Sequence, residues 1–276
     1  TWRDKVGEVG YSVGANITTI NNKILELGYG NEVFYTGQTR SEIGRSLGEY
    51  YLLKTDGLFR TQQEIDAYVN SQGVPITIEG KRPQLGDVRY IDTDDNGQIT
   101  TNDRQIVGSP WADALVSVNA GVSWKNFDFS MFWNGQFGND VLNGGMRQGR
   151  LFSDNSNYIR FEKGHEPYQE NPNSDFPRII YNDTRNTRGD SDLWLESGSY
   201  LRLRNIQLGY TFDKPTLARL QLSSLRIFVS GNNLLTITNY KGLDPDFINN
   251  DVWDRGTDNM AFPNPRTVMM GLQLSF

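Results

Sequence analysis

The chain has 276 residues, 37% of them hydrophobic, a mean hydropathy of -0.57 and no cysteine. No run of about 18 apolar residues occurs, which excludes a helical membrane span, and the missing cysteines exclude disulfides, thiolate catalysis and Cys-based zinc sites. A net charge of -6 with a pI near 5.0 argues against nucleic acid as a partner.

The chain opens at Thr1-Trp2-Arg3-Asp4 with neither an initiator Met nor a signal peptide, and we read it as a piece of something larger. Tyr11, Val13, Ala15 and Ile17 alternate with Ser12, Gly14, Asn16 and Thr18, which predicts a strand. Thr18–Asn22 reads as a short turn, and Lys23–Leu27 as a weaker strand, because Ile24, Leu25 and Leu27 do not alternate. A long polar connection covers 37–110. Two alternating strands follow at Leu115–Trp124 and Phe127–Phe137, joined only by Lys125-Asn126. After a second long connection at 138–198, Leu201 and Leu203 fall on one face but Ile206, Leu208, Tyr210 and Phe212 on the other. A β-bulge near Arg204-Asn205 reconciles them. Asp213–Leu222 is a short turn, Leu225–Ser230 alternates again, and 239–265 is the third long connection. In the last ten residues Val268, Met270, Leu272, Leu274 and Phe276 form one apolar face.

These segments are all-β, and each has the length a tilted strand needs to cross a bilayer. Outer-membrane barrels alternate short periplasmic turns with long extracellular loops. Placing Phe276 in the periplasm puts 37–110, 138–198 and 239–265 outside and the three short turns inside. About seven strands result, too few for a complete bacterial barrel. The frequent Gly residues and the 12% aromatics suit glycine-rich strands with interfacial girdles. A soluble β-sandwich also alternates, but its outer face should carry Lys, Glu and Arg, whereas here the polar faces are Ser, Gly, Asn, Thr and Gln.

Tyr200-Leu-Arg-Leu-Arg-Asn-Ile-Gln-Leu-Gly-Tyr210 resembles a late barrel strand of the SusC/RagA-like TonB-dependent transporters of Bacteroidota outer membranes. Ile227–Leu235 followed by Gly242-Leu-Asp-Pro-Asp246, Asn264-Pro-Arg-Thr267, Gly86–Asp92 and Gly57–Tyr68 are similar to further family segments, in family order. The resemblance implies a barrel of about 22 strands, of which this chain is the last third. It also implies an amino-terminal plug and a TonB box, both absent from this chain, and a SusD-like surface lipoprotein as lid. Substrates implied are oligosaccharides or peptides. Transport, not catalysis, is the implied activity.

One constellation carries ligand chemistry. Asp92-Thr-Asp-Asp-Asn-Gly-Gln-Ile-Thr-Thr-Asn-Asp103 places oxygen donors at Asp92, Asp94 and Asn96, a turn glycine at Gly97, a carbonyl at Gln98, an apolar anchor at Ile99 and a carboxylate at Asp103. This is the EF-hand loop pattern with Asp for the terminal Glu, and we expect it to bind Ca²⁺, with Mg²⁺ second. A plain Asp/Asn/Gly surface turn has the same composition. The flanks do not read as two helices, so an ion here would rigidify an extracellular loop. The loop aromatics Phe152, Tyr158, Phe161, Tyr168, Trp194, Phe247 and Trp253 are candidate contacts to lid or substrate, unless they pack the loops on one another.

His165, the only histidine, lies in a polar loop and reads as solvated. The carboxylate pairs Asp190/Asp192 and Asp244/Asp246 lack an apolar pocket signature and read as surface groups rather than glycosidase acids. The sequence thus predicts the closing part of an outer-membrane importer. The alternatives are a soluble Ca²⁺-stabilised β-sandwich that binds glycans, and a barrel subunit of a secretion or adhesion assembly.

Overall fold

The computed structural model describes residues 1–28, 30, 32–150, 160–161, 163–213, 215, 217, 222–247, 249 and 251–275. Its main feature is a seven-stranded antiparallel sheet: β1 (Trp2–Val6), β2 (Val9–Thr19), β3 (Ala114–Trp124), β4 (Phe127–Phe137), β5 (Tyr200–Thr211), β6 (Ser224–Thr238) and β7 (Thr267–Ser275). Neighbours in sequence are neighbours in the sheet, so the wall is a continuous up-and-down meander.

Register sorts the side chains onto two faces. Val13 pairs with Ala120, Ala120 with Met131, Met131 with Ile206, Leu208 with Val229 and Val229 with Met270. On the opposite face Ser117 pairs with both Asn16 and Asn134, Asn205 with Asn232, and Gln207 with both Ser130 and Ser230. The apolar face is open to the surroundings: Met270 is 73% exposed and Leu208 53%. A sandwich would cover this face with a second sheet. Among the described residues no such layer exists, so the sandwich expectation fails.

The expected bulge is present. Leu203 pairs with Trp133 and Asn205 with the adjacent Phe132, leaving Arg204 as the extra residue. The inserted residue returns Leu201, Leu203, Ile206, Leu208 and Tyr210 to one face.

Two assignments are corrected, a turn and a strand. Thr18 and Thr19 are not a turn; they pair with Leu115 and Ala114 at the end of β2. The first hairpin turns instead at Gly7-Glu8, and Lys23–Leu27 is not a strand. Alternation carries β2 past residue 18, and Gly7, with φ +61°, supplies the positive φ that a two-residue hairpin needs. The first long excursion therefore spans 20–113 rather than 37–110. The count of seven strands stands, with Trp2–Val6 in place of Lys23–Leu27.

Short and long connections segregate. Gly7-Glu8, Lys125-Asn126 and 212–223 lie at one rim; 20–113, 138–199 and 239–266 lie at the other. At the short rim, on the apolar face, Trp124, Phe127, Tyr210 and Phe212 form a chain of ring contacts with centroids 4.8–6.4 Å apart. The buried core lies in the long connections, not in the wall. One cluster unites Leu53, Leu58, Ile76, Ile78, Val88, Tyr90 and Ile99; a second joins Tyr50 and Leu52 to Leu142 and Trp194. The first two excursions thus fold together into a layer with its own apolar interior.

Candidate functional site

The acidic loop is built on that layer. Ile99, 3% exposed, docks into the first cluster and pairs in parallel with Ile78, which fixes the loop's exit. Thr100 caps a short 3-10 turn over Thr101–Asp103, and Asp103 closes the reciprocal bond. Asp103 is fully buried. Its Oδ1 accepts from the Thr93 N–H at 2.8 Å and its Oδ2 from the Thr100 N–H at 2.7 Å. Asp92 accepts from the Gly97 N–H at 2.9 Å, where φ of +80° allows the sharp bend.

The structure brings Asp92, Asp94 and Asp103 together, with one ligand oxygen of each within 4.8 Å of the others. Asn96 sits beside Asp94, its Nδ2 donating to Asp94 Oδ2 at 2.8 Å and its Oδ1 accepting from the Gln98 N–H at 2.7 Å. The Gln98 residue is exposed. Burial pushes the Asp92 carboxyl above the usual range; hydrogen bonds from Gly97 and Asn96 oppose this, and the charges of Asp103 and Asp94 reinforce it. Three carboxylates this close present hard oxygen donors that suit a hard divalent cation. Asp95 faces elsewhere: Ser71 binds it through its N–H at 2.8 Å and through its hydroxyl, and holds it below the usual range.

A second constellation, not legible beforehand, sits where the third excursion meets the wall. Arg202 donates to Asp244 and, at 3.2 Å, to Asp246; Arg204 donates to Asp246 at 2.5 Å and to Asn134 at 2.8 Å. Asn264, twenty residues beyond Asp244, donates its backbone N–H to Asp244 Oδ2 at 2.9 Å and its side-chain amide to the Asp246 carbonyl at 2.9 Å. Both ends of the 239–266 excursion are thereby tied to β5 on the polar face. The carboxylate pair Asp244/Asp246 is consumed structurally. So is Asp190/Asp192: Arg188 binds Asp190 at 2.9 Å, and Thr55 donates to Asp192 at 2.7 Å. His165 is half-buried, with Nδ1 2.6 Å from Asp175 Oδ1.

The candidate aromatics divide. Trp194 is 3% exposed, its indole N–H donating to the Arg188 carbonyl at 2.9 Å and its ring packing on Phe176. It fills the interior of the loop layer and is not available at a surface. Tyr168 packs on the first core cluster beneath Arg60. Phe161 packs at a tilt against Phe176, with ring centroids 4.9 Å apart. Trp253 is half-buried against Phe34, 4.6 Å away. Phe247 lines a cavity between the third excursion and the wall. Phe152 and Tyr158 lie outside the described residues.

On the polar face Arg226 of β6 and Asp128 of β4 form a bidentate pair across β5, with contacts of 3.0 and 2.5 Å. The pair passes over Gly209, where a Cβ would stand 2.4 Å from the guanidinium.

No family model matches the chain. The chain is 30% identical over 275 residues to the TonB-dependent receptor P26 of Formosa agariphila, covering 94% of this chain and 26% of that protein. It is 24% identical to the TonB-dependent receptor SusC of Bacteroides thetaiotaomicron, covering 96% and 24%. The chain matches the SusC/RagA-like TonB-dependent receptors. It spans about a quarter of the length of the curated relatives it matches. Among solved structures, the RagAB peptide transporter superposes with a TM-score of 0.74 at 18% identity, covering 98% of this chain and 27% of that one. The RagAB peptide importer in its closed-closed state gives 0.72, covering 99% and 28%. That likeness carries the fold: the seven-stranded wall and its long loops superpose on about a quarter of each of those chains. No helix of the described residues is long and apolar enough to cross a membrane.

Proposed function

We propose that this chain forms a section of the wall of an outer-membrane importer of the TonB-dependent type. The short rim and the carboxy-terminus face the periplasm, and the three long excursions face outward. Import of oligosaccharides or peptides would proceed with a SusD-like surface lipoprotein, and TonB would act through segments outside this chain. The observation that supports the reading is the division of the wall into an exposed apolar face, interrupted by Asp4 on the short β1, and a polar face of Ser, Asn and Gln. A lipid-facing exterior and a hydrated lumen require that division. Weak, replaceable hydrogen bonds along the lumen let a solute move on. The test is fractionation of native membranes, with epitopes placed at Gln72 and at Asn126. The protein should copurify with the outer membrane and with a lipoprotein partner. The first epitope should be reached on intact cells and the second only after permeabilisation. Recovery as a soluble monomer without detergent contradicts the proposal.

Within this reading Asp92, Asp94 and Asp103 hold a divalent cation, Ca²⁺ ahead of Mg²⁺, which stiffens the first excursion. Because a ligand stabilises only the state that binds it, Ca²⁺ at about 100 times its Kd should protect the loop by about 2.7 kcal/mol. Limited proteolysis near Asp95, with and without chelator, measures this. Asp94→Asn should abolish the difference. Equal cleavage rates under both conditions in the unaltered protein would show a turn closed by hydrogen bonds alone.

A further inference from the structure

Between the third excursion and the polar face of the wall lies a cavity of about 340 Å³. Its polar groups are not self-satisfied. Asn139 is 4% exposed, yet its Oδ1 has no hydrogen-bond partner. That oxygen is closed off from solvent, so the polar groups that face a ligand are those of Gln136 and Arg255. Arg255, exposed at the cavity, makes no ion pair among the described residues; its guanidinium lies over the Trp111 ring, 5.1 Å from the centroid. That ring is itself held in place, its indole N–H donating to the Leu47 carbonyl at 2.6 Å. Phe247 supplies a second aromatic wall, and Gln136 of β4 a side-chain amide. The one carboxylate in the lining, Asp246, is already neutralised by Arg202 and Arg204 and does not oppose an anion.

We infer that this cavity is a subsite for an oligosaccharide carrying an acidic substituent, a uronate carboxylate or a sulfate ester. The inference rests on the importer reading above. The free guanidinium takes the anionic group, a sugar hydroxyl bonds to the Gln136 amide, and an apolar sugar face packs on the aromatic walls. A peptide is disfavoured by the backbone around the cavity. Peptides are commonly held by strand addition to a free edge. Here Leu115, Gln136 and Val141 come from strands paired on both sides.

The experiment uses the full-length receptor that carries this chain, purified in detergent. It is titrated with a panel of uronate-bearing, sulfated and neutral oligosaccharides of matched length, and with a tripeptide mixture. At least one acidic series should bind, and its neutral counterparts should bind at least tenfold more weakly. Arg255→Gln, at an exposed position, should remove that preference, weakening the acidic series about tenfold more than the neutral sugars. Arg255→Lys should restore part of it. Which acidic series binds separates carboxylate from sulfate. Tighter binding of neutral sugars or tripeptides overturns the inference, as does an Arg255→Gln receptor that keeps its acidic preference. If no panel member binds while the receptor still resides in the outer membrane with its lipoprotein, the subsite fails and the importer reading stands. If the receptor is absent from the outer membrane, the importer reading fails and the subsite fails with it.

Discussion

Trp194 illustrates how a single side chain can serve the loops rather than a ligand. Its ring closes the second core cluster, where Leu142 of the second excursion meets Tyr50 and Leu52 of the first. Removing a buried aromatic of this size costs about 3–5 kcal/mol. Trp194→Ala should therefore separate the two excursions. Protease cleavage within 20–113 and 138–199 on intact cells should rise sharply while the wall remains inserted, and Trp194→Phe should lose much less. Unchanged cleavage in Trp194→Ala would remove it from the core. Sequence alone could not place it: an aromatic in a polar connection looks the same whether it points to a partner or into a layer formed with residues more than a hundred positions away. Asp92, Asp94 and Asp103 were legible because their geometry is local, set by Gly97 and the turn residues around it. The Asn139 cavity was not, since its lining comes from four separate parts of the chain.

At the scale of elements, the bulge in β5 is the feature with most consequence. Alternation showed that it must exist. What it does was hidden, because the partners of Arg202 and Arg204 lie about forty residues downstream. The bulge keeps β5 apolar on its outer side while both arginines reach the polar side and clamp the third excursion. Burial alone would push the Asp244 carboxyl up; Arg202 and the N–H groups of Asp246 and Asn264 outweigh it and hold it below the usual range. A depressed carboxyl contributes stability that is fully present above its unfolded value and is lost as pH falls through the folded one. The clamp should thus hold at neutral pH and release only in acid, below the ordinary carboxylate range. Arg202→Met leaves Asp244 buried without its cation, a loss of about 3–5 kcal/mol. Proteolysis of 239–266 should become fast at pH 7 in that variant, and its acid dependence should disappear. A cleavage profile identical to the parent's at every pH would refute the clamp. The first hairpin teaches the opposite lesson. β1 is only five residues long and its centre, Arg3-Asp4-Lys5, breaks the period of two, so nothing but Gly7 marks the turn in the sequence.

The whole molecule is a wall with its hydrophobic core displaced into the loops. That inversion explains the low mean hydropathy of a chain whose largest apolar surface points outward. Neighbouring residues on β5 should consequently respond oppositely to the same substitution. Ile206→Arg on the outer face should cost about 2–4 kcal/mol of barrel stability, and Gln207→Arg on the lumenal face much less. The chain has no cysteine of its own, so the two faces can be read directly. The decisive measurement is a series of single cysteines from Leu201 to Tyr210 in the outer membrane, labelled by a bilayer-soluble and by a water-soluble thiol reagent. The account predicts bilayer labelling at 201, 206, 208 and 210 and water labelling at 205 and 207, with the phase shifting at Arg204. Uniform water labelling, or an alternation that runs through 204 without a shift, would contradict it.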